Sequence, residues 1–241
     1  MSDSEQTIIS HLEDLRKMLL RILFATGILY PFCYWLSPVV IRFLVAWSFP
    51  DGCGALYYFS PMEMFLIQLK LALILALIVA YPWNILQIWN FLKPALYPGE
   101  QRAFICWIAG STILFLGGAF FCAKLILPLI MEFSRDFSSL EIQPMLGIGN
   151  FLGLAGWLML AFGTMFQTPV LVLLAVRFGL VSYESLRNKR PYIMTAILIL
   201  AALLTPPDII SQLLLAVPAW LLFELGLLLS KNMELKNNES T

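Results

Sequence analysis

Charge is scarce in this sequence, and histidine is nearly missing. Of 241 residues only 12% are charged and 60% are hydrophobic, against roughly 25% and roughly 45–50% in soluble domains. That much apolar surface has no place in one water-soluble core of this size, so lipid must be the main solvent. An ordinary cytosolic enzyme and a disordered scaffold are thereby excluded. Fifteen basic residues balance fifteen acidic ones, which leaves no global field to recruit a polyanion and excludes a nucleic-acid binder with a basic face. His11 is the only histidine, so histidine-based triads and multi-histidine metal sites are excluded. There is no glycine-rich phosphate loop and no dinucleotide fingerprint. We therefore expect no cofactor, no metal, no enzymatic activity and no ATPase within the chain. The four cysteines, Cys33, Cys53, Cys106 and Cys122, lack C-x-x-C spacing. All but Cys53 sit inside apolar runs, where a small hydrophobe is the default role; Cys53 lies in a polar loop, and sequence alone argues no disulfide from it. No internal repeat supports an inverted-repeat transporter fold. Residues 1–17 lack the short apolar core and cleavage site of a leader, which argues against a signal or transit peptide.

Long apolar runs are what the chain has instead. They extend from about Met18 to Leu36, Met62 to Leu86, Phe104 to Leu127 and Phe151 to Val176, each close to or beyond the roughly 20 residues that cross a bilayer as a helix. The last third holds two shorter runs, Tyr192 to Leu204 and Gln212 to Leu229, separated by the helix stop Thr205-Pro206-Pro207-Asp208. These read as one broken helix or as a hairpin of two short spans. Charge favours the hairpin: Arg187, Lys189 and Arg190 precede it and Lys231 and Lys236 follow it, so both ends belong on the cytoplasmic side. The expectation is an all-α integral membrane protein with six transmembrane helices, both termini cytoplasmic and the last two spans short. Of the fifteen basic residues, all but Arg42, Lys70, Lys124 and Arg135 then fall inside. The chain reads as one membrane domain over 1–241. Residues 1–17 form a cytoplasmic amphipathic lead-in, 37–61 and 128–150 outer caps, 87–103 and 177–191 cytoplasmic loops, and 230–241 a cytoplasmic tail.

Several polar residues stand out against this background. Ile8, Leu12, Leu15 and Leu19 follow a helical stripe, with Glu13, Arg16 and Lys17 pointing elsewhere. Two readings stand: an interfacial lead-in helix, or a docking surface that displays acids. The loop Lys93-Pro94-Ala95-Leu96-Tyr97-Pro98-Gly99-Glu100 is rigid, and Glu100 starts the next helix, where it complements the helix dipole. Gln167 lies about halfway along the fourth span, just before Pro169; its amide suits a carbonyl freed by that proline. Glu63 and Lys70 share one face of the second span, and Lys70 leans back toward Glu63 by snorkelling, with room for a weak ion pair. Asp208 is placed to cap the sixth helix. Glu224 belongs near the inner end of the sixth span, beside inside basic residues.

The order of these motifs resembles the TatC family, the multispanning receptor of the twin-arginine protein translocase. The resemblance rests on His11-Leu12-x-Asp14-Leu15-Arg16, Ser60-Pro61-x-Glu63-x-Phe65, Phe91-x-x-Pro94-Ala95-Leu96-Tyr97-x-x-Glu100, Phe162-Gly163-x-x-Phe166-Gln167-x-Pro169-Val170, Arg190-x-Tyr192 and Thr205-Pro206-Pro207-Asp208-x-x-Ser211-Gln212, followed by Pro218 and Glu224. It covers almost the whole chain. It implies a concave cup in a bacterial cytoplasmic (inner) membrane that binds twin-arginine signal peptides of folded cargo. Peptide binding would fall to Asp14 and Glu100, with Leu12, Glu13, Arg16, Leu96 and Tyr97 around them; Asp14 stands where the family more usually has Glu, one methylene longer, and neighbouring Glu13 offers compensation. Gln167, Phe166, Pro169, Asp208, Glu63 and Glu224 would serve partner contact and assembly. The implied partners are single-span subunits of the TatA and TatB type, membrane lipid and further copies of the chain, with transport drawing on the proton-motive force. The competing class is a small-solute or ion transporter that uses Glu63, Lys70, Gln167 and Glu224 as an intramembrane polar pathway.

Overall fold

A computed structural model describes residues 3–49, 56–92, 101–136, 146–204 and 209–238. Among these residues the regular structure is helical, apart from one parallel bridge between Tyr57 and Gly147. The helices are α1 (Asp3–Ser48), α2 (Pro61–Leu92), α3 (Gln101–Phe121), α4 (Leu127–Asp136), α5 (Ile148–Met165), α6 (Thr168–Arg177), α7 (Tyr183–Asn188), α8 (Arg190–Leu204) and α9 (Ile209–Asn238). A π-helical turn over Cys122–Ile126 joins α3 to α4 without a break. Five apolar helical stretches are long enough to cross a membrane: His11–Ser48, Pro61–Phe91, Trp107–Ser134, Ile148–Arg177 and Gln212–Lys231; Arg190–Leu203 is apolar but shorter. Large apolar side chains such as Phe24, Trp35, Ile113 and Leu203 are more than 70% exposed, the surface expected of helices solvated by lipid.

The helices run further than the hydropathy suggests. The lead-in over residues 3–17 is continuous with the first span, and α1 continues past Leu36 to Ser48 although Pro31 and Pro38 lie inside it. Pro38 has no N–H to give the carbonyl of Tyr34, four residues back. Ser37 Oγ donates to that same oxygen at 2.8 Å, so the helix keeps its ladder satisfied through the proline, as membrane helices require. The break at α5–α6 uses the same device: Pro169 frees the carbonyl of Met165, and Thr168 Oγ1 donates to it at 2.6 Å. At Pro128 the solution differs. The Leu127 N–H reaches back to Cys122 O, and the widened turn spares the proline ring the clash that an α-helix would impose. At the other end of the chain, α9 carries the segment expected as a tail on to Asn238.

Contacts divide the chain into two units. The first gathers Met1–Ala46, Asp51–Ile113 and Met145–Gly156. There α1 meets α2 through Tyr30 Oη on Leu69 O and Arg21 Nη1 on Gln87 Oε1, both at 3.5 Å, and Tyr81 Oη and Ser111 Oγ join α2 to α3 at 3.0 Å. Its far end is tied by Tyr57, which donates to Leu146 O at 3.1 Å and accepts from the Ile148 N–H at 2.9 Å. The second unit gathers Trp47–Pro50, Leu114–Pro144 and Trp157–Thr241, with α9 packed mainly on α6 and α8. Val172, Phe223 and Leu227 form one buried cluster of this unit, surrounded by Tyr183, Leu186, Ile193, Ile197 and Trp220. Between α6 and α7 the turn depends on Gly179, whose φ of 66° is a left-handed conformation that ends α6.

Candidate functional site

A polar cavity of the first unit lies where the N-terminal part of α1 meets the C-terminal part of α2. His11, Asp14, Lys17, Met18 and Arg21 line it from α1, and Gln87, Asn90 and Phe91 line it from α2, around about 210 Å³. The α1 residues recur at three- and four-residue intervals, which brings them onto one face. The His11 ring stacks on Phe91 with centroids 4.5 Å apart, which fastens the two helix ends together. Arg21 is held by the buried Gln87.

Asp14 and Glu13 take different places here: Asp14 lines the cavity, whereas Glu13 does not. Lys17 pairs with both, at 3.9 Å to Asp14 and 3.7 Å to Glu13, with all three side chains mostly exposed. Pairs of that length and exposure are worth only about 0.2–1 kcal/mol, so an incoming cation exchanges with Lys17 readily. Leu12 and Arg16 are exposed and are absent from the cavity lining. Leu96, Tyr97 and Glu100 lie outside the described residues, as does Asp208. The sequence reading missed Arg21, Gln87 and Asn90 as neighbours of Asp14. The signal available was a polar residue at helical spacing in an otherwise apolar run.

Several of the remaining polar candidates have partners within the fold. Glu63 Oε2 accepts the Phe59 N–H at 2.8 Å, a carboxylate one turn into α2 reaching back to an unsatisfied donor ahead of the helix, as in a capping box. Its other oxygen lies against Gly149, where a Cβ would collide with it. The ion pair for which Lys70 had room is not formed: among the described residues the salt bridges are Lys17–Glu13, Lys17–Asp14 and Arg190–Glu224. The last is the shortest, with Arg190 Nη2 donating to Glu224 Oε2 at 2.6 Å, and it fastens the start of α8 to α9. Gln167 is buried at the α5–α6 break. Phe166 beside it packs on Phe121, with centroids 5.6 Å apart. Pro169 is buried in the first turn of α6, where Gly226 of α9 comes so close that a Cβ would stand 2.9 Å from Pro169 Cα.

Long apolar helices, a polar cavity at two helix ends and acids engaged mostly in local bonds define a multi-pass helical membrane protein. Comparison with known proteins makes this particular. The family model described as Sec-independent protein translocase protein (TatC) matches residues 10–218. The Haemophilus influenzae protein of that name is 34% identical, with 99% of this chain and 94% of that protein covered. The Escherichia coli K12 protein is 32% identical, over 95% of this chain and 90% of its own length. A solved structure titled "Crystal Structure of Twin Arginine Translocase Receptor- TatC" superposes with a TM-score of 0.82 at 32% identity, covering 92% of this chain and 98% of that one. The chain belongs to the TatC family of protein-translocase components.

Proposed function

We propose that this chain is the receptor subunit of a twin-arginine translocase in a bacterial inner membrane, and that the α1–α2 cavity is part of its signal-peptide site. The observation that carries this reading is Asp14, a carboxylate that lines a polar cavity and, among the described residues, is held only by a long, exposed pair with Lys17. A guanidinium is always charged and presents a planar fork of donors, so it displaces a lysine ammonium from a carboxylate with a gain in geometry. Hydrogen bonds to a charged group contribute roughly 1.5–3 kcal/mol each, enough to separate arginine from lysine in a peptide where the geometry is bidentate. Glu100 is assigned as the second acid by its family motif, with Leu96 and Tyr97 flanking it and Leu12, Glu13 and Arg16 at the rim.

In this reading the chain crosses the membrane six times, α8 supplying the short fifth span, and both termini are cytoplasmic because the basic residues cluster on that side. Gln167, Phe166, Pro169 and Asp208 meet single-span subunits of the TatA and TatB type. Further copies of the chain join the assembly, and the proton-motive force drives transport, as membership of the family implies. Local engagement counts against a solute pathway through the same helices, because Glu63 is committed to Phe59 and Glu224 to Arg190.

The test is binding of a twin-arginine signal peptide to purified protein in vesicles. Binding should be lost when both peptide arginines become lysine, and Glu100→Ala at normal abundance should abolish export of a twin-arginine reporter. Equal affinity for the two peptides, or normal export by that variant, overturns the assignment.

A further inference from the structure

The unit built from α1 and α2 holds a second cavity, away from the polar one and unlike it in chemistry. Leu23, Thr26, Gly27 and Tyr30 of α1 and Leu69, Lys70 and Leu73 of α2 line a groove of about 430 Å³. Its walls are mostly apolar: the Thr26 and Tyr30 hydroxyls are spent on the carbonyls of Ile22 and Leu69, and Lys70, the one charged residue among them, is exposed. Among the described residues neither a carboxylate nor an aromatic ring pairs with this ammonium. The acid closest to it along the same face, Glu63, spends its carboxylate on the Phe59 N–H. A cation at the margin of a hydrocarbon layer calls for a counter-anion.

Depth says where that anion sits. The apolar stretch Pro61–Phe91 has 31 residues, about 46 Å of helix across a hydrocarbon core of about 30 Å. Centred in the membrane, it places Lys70 only about 6 Å below the hydrocarbon edge on the Pro61 side, within reach of a snorkelling lysine stem. Lipid phosphates lie at that level. The groove then continues from Lys70 along Leu69, Leu73 and Gly27 into the hydrocarbon. A Cβ at Gly27 would meet nothing within 4 Å, so the groove floor is open. One turn of a helix about 10–12 Å across already takes up about this volume, which favours a slender chain over a partner helix. We infer that the groove holds one acyl chain of an anionic phospholipid whose phosphate pairs with Lys70.

The full-length protein, reconstituted in equal parts phosphatidylglycerol and phosphatidylcholine, is extracted gently and its retained lipid counted by native mass spectrometry. Wild-type protein should retain phosphatidylglycerol over phosphatidylcholine by about fivefold, the equivalent of about 1 kcal/mol for one basic residue at a lipid surface. Lys70→Met should lose that preference and Lys70→Arg should keep it. Gly27→Leu should lower retention of both lipids by closing the groove, while helicity by circular dichroism stays unchanged. Undiminished preference in Lys70→Met overturns the inference. So does displacement of the lipid by inorganic phosphate, or Lys70-dependent capture of a single-span subunit with no lipid preference.

Discussion

Replacing Gly226 by alanine should loosen the joint between α6 and α9, and the structure fixes the size of the effect. The added Cβ would stand 2.9 Å from Pro169 Cα, 3.1 Å from Val172 Cβ and 3.4 Å from Pro169 O, whereas carbon atoms pack best at about 3.5–4.0 Å. Two of the three opposing atoms are backbone, so no rotamer change relieves the clash; the helices must separate by about 0.5–1 Å at this point. Overpacking of this kind typically costs about 1–3 kcal/mol. Against that, alanine in a helix is favoured over glycine by roughly 0.5–1 kcal/mol. The net loss is therefore about 0–2.5 kcal/mol, and a matched control is needed to see it. Gly153 of α5 supplies one, since a Cβ there meets nothing within 4 Å, and Gly153→Ala should stabilise the protein by about 0.5–1 kcal/mol. Unfolding of both variants in mixed micelles, followed by helicity, should place Gly226→Ala about 1–3 kcal/mol below Gly153→Ala. Equal stability of the two would refute the close approach. The contact falls on Pro169, two residues from Gln167; if Gln167 meets a single-span partner as proposed, crosslinking from it should weaken in Gly226→Ala and hold in Gly153→Ala.

Two further substitutions test bonds that replace missing ones. Thr168→Val keeps shape but leaves the Met165 carbonyl without the hydroxyl that serves it; the loss should be about 1–3 kcal/mol in the same unfolding assay, with Thr168→Ser near wild type, and an unaffected valine variant would show the carbonyl satisfied without it. A double-mutant cycle with Arg190→Gln and Glu224→Gln should give a coupling of about 1 kcal/mol. That figure lies above most exposed pairs and below the roughly 3–5 kcal/mol lost on breaking buried ones, because Arg190 is 42% and Glu224 24% exposed; strictly additive single losses would remove the clasp between α8 and α9.

The helical class and the long apolar stretches were legible because lipid-solvated helices announce themselves by length and apolarity alone. Their ends were not. Pro38 reads as a stop in sequence, yet Ser37 takes the proline's place as donor to Tyr34 O and α1 runs on to Ser48; a dipeptide of hydroxyl and proline carries its own repair. The same pattern recurs at Thr168-Pro169, where the Thr168 hydroxyl serves the Met165 carbonyl. Glu63 and Lys70 share a helical face as their spacing implies, but the carboxylate found a closer donor in the Phe59 N–H, which hydropathy and periodicity do not register. Asp14 was legible as a candidate from its motif. Its separation from Glu13 was not, because which of two adjacent acids faces α2 depends on the rotation of α1, fixed by His11 on Phe91 and Arg21 on Gln87.

The acids differ in how firmly they are held, and that difference bears on what each is able to do. Glu63 is fastened to a backbone donor at 2.8 Å with glycine against its other oxygen, and Glu224 is bound to Arg190 at 2.6 Å. Drawing either into a new contact first breaks a short bond to an N–H or a guanidinium, and the abandoned donor must then find a substitute in a medium that offers little water. Glu13 and Asp14 share one exposed lysine at 3.7–3.9 Å, so their release strands nothing buried: Lys17 simply returns to water. A receptor needs carboxylates of the second kind, because the affinity seen by a ligand is what remains after existing bonds are given up. On the proposed function, Glu63 fixes the start of α2, Glu224 clasps α9 to α8, and the loosely paired Glu13 and Asp14 are the acids able to exchange partners. The same difference fixes the order of sensitivity: loss of Glu63 or Glu224 should lower the stability of the protein, whereas loss of Asp14 should lower peptide affinity and leave stability unchanged.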